Sequence, residues 1–311
     1  MRVASNTFSE SLVNQLGSLV ARQQRLQNQA ATGQRIQTPD DDPVALRRIL
    51  DLQAEASTSS QYQRNIARQQ ELATATFSGI KSLKTLLDRA GELAVMVDDL
   101  KSPQELQIYA SEITELIKQA AQVLNATNRG DPLFGGTQSG QPPFVVQTDA
   151  NGRVTTVTYQ GNTTLNEVEI AQGVTVTAQV AGVNTTGSGP RGLVADSRLG
   201  ADFFNHLISL QNNLVAGDVA AIAATDRVNL QTDEENILFH LSANGAMQAR
   251  LETTASMSRD QGLLMEQQIS READADLAQT LVKLSQTQTA YQAALQSGAG
   301  LLRLSLLDYL R

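Results

Sequence analysis

The chain has 311 residues, enough for about two domains at the usual ~150 residues each. Hydrophobic residues make up 41% and charged residues 18%, with Gln, Thr, Ser and Asn filling the shortfall in charge, so the composition is that of a folded chain and not a disordered one. Cys is absent, which excludes a disulfide framework, a thiolate metal site and a Cys nucleophile, while a net charge of −8 without any Lys/Arg run argues against nucleic acid as a partner.

The first element runs from Ser5 to Ala31. Leu12, Leu16, Leu19, Gln23, Leu26 and Ala30 are spaced by alternating fours and threes, a heptad seam with one polar position. Gly33 closes it. Asp40-Asp41-Asp42-Pro43 then reads as a helix start, with Asp42 as the N-cap and Pro43 as the first helical residue. The same spacing continues through Ala45, Ile49, Leu52, Ala56, Ser59, Gln63, Ile66, Gln70, Ala73, Phe77 and Ile80. A helix over 44–97 is predicted, about 80 Å long at ~1.5 Å per residue, which suits an elongated bundle. Ser102-Pro103-Gln104-Glu105 is a capping box, Ser102 and Glu105 satisfying each other's backbone N–H, and starts a third helix with Leu106, Tyr109, Ile113, Leu116, Ala120 and Leu124 on its apolar face.

Residues 131–195 change character. Thr, Val and Gly replace Leu and Gln, and 144–148, 153–159, 165–170 and 174–180 read as strands. The 184–190 stretch reads as a loop. Helical pattern resumes at Leu199, is interrupted at Gly217-Asp218, and ends in two seams. One is Leu251, Ala255, Ser258, Gly262, Met265 and Ile269. The other is Leu277, Leu281, Leu284, Gln288, Tyr291, Leu295, Gly298 and Leu302, joined to the first through Ala273 by a stutter. The expected fold is mainly α with a small β-rich insertion, an elongated helical bundle or coiled coil in which the N- and C-terminal helices run together. The expected division is a terminal coiled-coil assembly domain at 1–40 and 275–311, a central helical bundle at 41–130 and 196–274, and a β-rich insertion at 131–195.

No catalytic, cofactor or metal site is expected. Asp40-Asp41-Asp42 lacks the spaced carboxylates, turn Gly and distal Glu of a calcium loop. Asp274 faces away from Glu272 and Asp276 on a helix, so this acidic cluster reads as a solvated or salt-bridging face. His206 and His240 stand among apolar helix residues without a triad partner. No apolar stretch reaches the ~18 residues of a membrane span, and the N-terminus lacks the apolar core of a cleaved secretory signal. The terminal seams are too polar to bury much alone. Leu12, Leu16, Leu19, Leu26, Leu281, Leu284, Leu295, Leu302, Leu306 and Leu307 are therefore expected at subunit–subunit contacts that order on assembly.

Ordered motifs carry a resemblance. Ala31-Thr32-Gly33-Gln34-Arg35-Ile36 followed by Pro39-Asp40-Asp41-Asp42-Pro43 resembles the N-terminal signature of the flagellin superfamily. Its Asp-Asp-Pro ending is similar to the branch of third hook-associated proteins, which join hook to filament. Leu133-Phe134-Gly135-Gly136, Asn244-Gly245-Ala246, Arg250-Leu251-Glu252, the Glu272/Asp274/Asp276 cluster and Ser305 to Leu310 resemble further family elements in the right order. The resemblance implies a non-enzymatic structural part of the bacterial flagellum, secreted through the flagellar type III route and located outside the cell at the hook–filament junction. Its implied partners are the first hook-associated protein, flagellin, copies of itself in a ring, and an export chaperone on the C-terminal helix. It implies no cofactor, nucleic acid or membrane insertion. The alternatives are a filament flagellin or, from another class, a surface adhesin or carbohydrate-binding module using the β-rich insertion.

Overall fold

The structure, a computed structural model, describes the backbone of residues 2–309 and the side chains of residues 10–300. In chain order it has α1 (Arg2–Thr32), α2 (Pro43–Met96) and α3 (Pro103–Leu124), then a region of short strands, then α4 (Phe203–Ala216). A helical stretch follows that begins as α5 (Val219–Ala221), widens through a π-helical turn at Ile222–Asp226 and continues as α6 (Arg227–Ala273). The last element is α7 (Leu277–Tyr309). The mainly helical fold with a small β-rich region is the one the sequence predicts.

Packing divides the chain into two compact units: Met1–Ser59 with Asp260–Arg311, called here the terminal unit, and Ser60–Arg259, the central unit. The boundaries fall inside α2 and α6, not at the helix breaks.

The central unit holds the large core. Ile80, Leu83, Leu87 and Leu93 of α2 meet Ile113, Ile117 and Leu124 of α3 and Phe203, Leu207 and Leu210 of α4. Each such side chain, fully buried, contributes about 1.5–3 kcal/mol from burial alone. The amphipathic face of α3 is the predicted one, with Leu106, Ile113, Leu116, Ala120 and Leu124 all buried. Its capping box is complete: the Ser102 and Glu105 side chains each accept the other's backbone N–H. Arg227 donates to the carbonyls of Ala94 and Val97 at 2.9 and 3.0 Å, satisfying acceptors that the C-terminus of α2 leaves open.

The strands are β1 (Thr127–Asn128), β2 (Asp131–Pro132), β3 (Phe144–Thr148), β4 (Val154–Tyr159), β5 (Val168–Ala171), β6 (Val174–Val176), β7 (Ala181–Asn184), β8 (Gly192–Asp196) and β9 (Ala201–Asp202). The β1–β2, β3–β4 and β5–β6 pairs are antiparallel hairpins. Phe144 opens β3, opposite Tyr159, and packs 5.1 Å from that ring and 5.5 Å from Phe204 on α4, which fastens the hairpin to the helical core.

Two features depart from the sequence reading. The stretch read as one strand over 174–180 stops at Val176, and the short β1–β2 pair and a three-stranded sheet, β7-β8-β9, appear where no strand was expected. The β7–β8 pair is parallel across a short loop, where a crossover helix is the usual connection. Buried Asn184 takes over that job: its Nδ2 donates to the carbonyls of Ser188 and Pro190 at 2.7 and 2.6 Å, and its Oδ1 accepts from Thr186. Second, the predicted stutter is a true break. The chain leaves helical geometry at 274–276, because Asp276 accepts from the Gln279 N–H at 3.0 Å and starts a new helix.

Candidate functional site

The terminal unit is built on α1 and α7, which pack against each other. They run antiparallel: Leu12 meets Gly298 at one end, and the Ala275 N–H donates to the Gly33 carbonyl at the other. On α1 the inward positions are the predicted ones. Leu26 is buried, and Leu12, Leu16, Leu19, Gln23 and Ala30 are half-buried.

On α7 the inward stripe keeps Leu284, Tyr291 and Gly298 of the expected seam and departs from it elsewhere. Thr280, Leu284, Thr287, Tyr291, Ala294 and Gly298 turn away from solvent, while Leu277, Leu281, Gln288 and Leu295 are exposed. The reason is steric. The leucines of α1 fill much of the interface, so α7 sets the smaller Thr280, Thr287, Ala294 and Gly298 beside Leu284 and Tyr291. Reading the largest apolar residues follows the neighbouring stripe. Leu281 is 55% and Leu295 44% exposed. Val13 and Val20, seven residues apart on α1, are exposed as well. Leu302, Leu306 and Leu307 lie outside the residues whose side chains are described.

The terminal unit therefore has little core of its own. Among the described residues its buried apolar side chains are Leu26, Ile36, Ala45, Ile49 and Ala273, and every other buried apolar side chain belongs to the central unit. Four of those five, Leu26 being the exception, form one cluster beside the helix breaks.

That joint is well ordered. Gly33, at φ +73°, ends α1 in the left-handed conformation that glycine tolerates best. Gln34 then pairs with Asp274 in an isolated antiparallel bridge, with the Arg35 N–H donating to the Ala273 carbonyl at 2.6 Å. Asp41 accepts from the N–H groups of Gln37 and Thr38 at 3.2 and 3.1 Å, bonds that hold its carboxyl below the usual range, and lies 3.3 Å from Arg25. Asp42 accepts from the Val44 and Ala45 N–H groups at 3.2 and 3.0 Å, and Pro43 is the first residue of α2. The acidic cluster is dispersed over local roles. Glu272 faces Arg35 and Arg48 at 4.0 and 3.7 Å, Asp274 accepts from the Ser270 hydroxyl, and Asp276 caps α7.

The two histidines sit in the central unit. His206 Nδ1 is 2.7 Å from the buried carboxylate of Asp233. Burial opposes its protonation, but the hydrogen bond and charge of Asp233, with Asp202 and Asp226, outweigh burial and raise its pKa. His240 is buried and held neutral, its pKa pushed down to about 4 chiefly by burial. The described residues contain no cluster of three metal-capable side chains, and no described helix is long and apolar enough to cross a membrane.

Comparison with known proteins agrees with this architecture. Residues 3–139 match the family model described as the bacterial flagellin N-terminal helical region. Flagellar hook-associated protein 3 of Salmonella typhimurium is 22% identical over 98% of both chains. The protein of the same name from Escherichia coli is 23% identical over 98% of both. A solved structure described as a putative flagellar hook-associated protein from Vibrio parahaemolyticus covers 75% of this chain and 100% of its own, with a TM-score of 0.64 at 18% identity, which establishes the shared fold. The match to the flagellin helical region at its start, the relatives aligned over nearly its whole length and the fold shared with a solved structure make the chain similar to flagellin-superfamily proteins.

Proposed function

We propose that this chain is a structural component of the bacterial flagellum, an adaptor that forms a ring at the hook–filament junction between the first hook-associated protein and flagellin. The observation that carries the reading is the terminal unit. It presents outward leucines and valines on paired helices, has a sparse core, and stands in a chain whose full-length relatives are named flagellar hook-associated protein 3. Helices of this kind gain stability by docking on neighbours: burying a half-exposed leucine contributes about 1 kcal/mol, and several act together. In this reading residues 1–40 and 275–311 are the assembly segments. Leu281 and Leu295 face adjacent subunits, while Leu12, Leu16, Leu19, Leu26 and Leu284 hold the α1–α7 pair that presents them. Export through the flagellar type III route, with a chaperone on the C-terminal helix, is part of the same proposal. A chain without disulfides suits passage in an unfolded state.

Immunogold labelling of intact flagella tests the position. A single band between hook and filament is the expected result; label along the whole filament would identify a filament flagellin instead. Purified protein that polymerises unaided into long filaments would point the same way.

A further inference from the structure

The central unit contains a cavity of about 230 Å³ between the strand region and α6 that the assembly role does not use. Its walls include Leu165, Val180, Phe239 and Met247, with Arg191 and Asn244 among its polar members. Arg191 lies over the Phe239 ring, its Cζ 4.1 Å from the centroid. Its Nε donates to Asn236 at 2.7 Å, and among the described residues its two terminal nitrogens have neither a hydrogen-bond acceptor nor a carboxylate partner. The nearest acid does not serve it. Asp196 is held by Arg198 through two bonds and accepts from the Gly192 N–H. Asn244 is 4% exposed; its Oδ1 accepts from Gln248 at 2.7 Å, and its Nδ2 is buried without an acceptor. The Asn244 Nδ2 is thus a buried unpaired donor, which is costly and is relieved by an acceptor, while the Arg191 guanidinium is half-buried at the mouth of the cavity.

The chemistry selects the ligand. His240 lines the same cavity but is neutral, its Nε2 3.2 Å from the Gly192 carbonyl. One cation is therefore available. A planar guanidinium fork matches a carboxylate, and apolar walls match a short hydrocarbon stem.

We propose that this cavity binds a carboxylate carried on a short apolar stem, with Arg191 forking the carboxylate, Asn244 donating to it, and Phe239 and Met247 enclosing the stem. Two sources share this chemistry: a free short-chain acid, and a Glu side chain of a second copy of this acid-rich chain.

The test is methyl NMR on the full-length protein labelled at its methionines, with sodium butyrate as probe and butyramide as its uncharged counterpart. The expected result is a saturable shift of the Met247 methyl with butyrate, little shift with butyramide, and Met96 and Met257 unmoved. Arg191→Gln weakens the butyrate response by about tenfold or more. Asn244→Ala, which leaves the cation–π stack in place, also weakens it, so the conclusion does not hang on one variant. A still Met247, an equal response to butyramide, or an unchanged response in both variants overturns the proposal. Given butyrate binding, the source is read from dilution. An Arg191-dependent self-association that butyrate competes away assigns a side chain of a second copy, and its absence assigns a free acid.

Discussion

The Cδ2 atom of Leu12 on α1 lies 2.6 Å from where a Cβ on Gly298 of α7 would stand. A glycine inside a helix costs about 1 kcal/mol relative to alanine, so its place here reflects the close approach of the two helices. A large side chain at 298 is expected to force them apart. Gly298→Leu should destabilise the terminal unit by about 1–3 kcal/mol, and adding Leu12→Ala should recover part of that loss. Chemical denaturation of the two single variants and the double variant checks it. Additive effects would contradict direct packing.

The exposed and packed leucines should separate in experiment. Leu281→Asp and Leu295→Asp remove apolar surface that already faces solvent, so the monomer's stability should change by no more than about 0.5 kcal/mol. Incorporation into flagella should fail. Leu26→Asp places an unpaired charge at a buried position and should unfold the α1–α7 pair itself. Motility and filament attachment, scored beside circular dichroism of each purified variant, distinguish the two effects.

Asp276 starts α7 after the break, so Asp276→Ala should cost about 1 kcal/mol and fray the first turn of that helix. Hydrogen exchange at Gln279 and Thr280 reports it. The bridge of Gln34 with Asp274 should persist, because it is made by the backbone.

The two histidines predict opposite pH responses. His240 has a folded pKa of about 4, below its unfolded value, so its contribution is present above about pH 6.5 and is lost as pH falls toward 4. The loss amounts to about 3 kcal/mol in the central unit. His206 has a raised pKa, so the stability it gains with Asp233 is full below about pH 6.5 and is lost as pH climbs through that raised value. Thermal melts of wild type, His240→Gln and His206→Asn across pH 4–9 check both. His240→Gln should flatten the acid limb, and His206→Asn the alkaline one.

Much of the fold was legible because α2 repeats one spacing without interruption. Ala45, Ile49, Ser59, Ile66, Ala73 and Ile80 are buried as the four–three rhythm requires. The seam ending at Ile269 was equally readable. On α7 Leu284, Tyr291 and Gly298 were read correctly, but size pointed to Leu281 and Leu295 where the smaller Thr280, Thr287 and Ala294 turn inward. The β7–β8 pair carries no strand–helix–strand pattern and depends on the bonds of a single buried Asn184. The carboxylate cavity was not legible, since Arg191 and Asn244 are far apart in sequence and meet only after folding.

Hydrogen exchange on the dilute full-length monomer tests the central claim most directly. Amides of 10–30 and 277–300 should exchange much faster than those of α3 and α4, and become protected in assembled flagella. Equal, strong protection of the terminal and central helices in the free monomer would contradict an account in which neighbouring subunits complete the terminal unit.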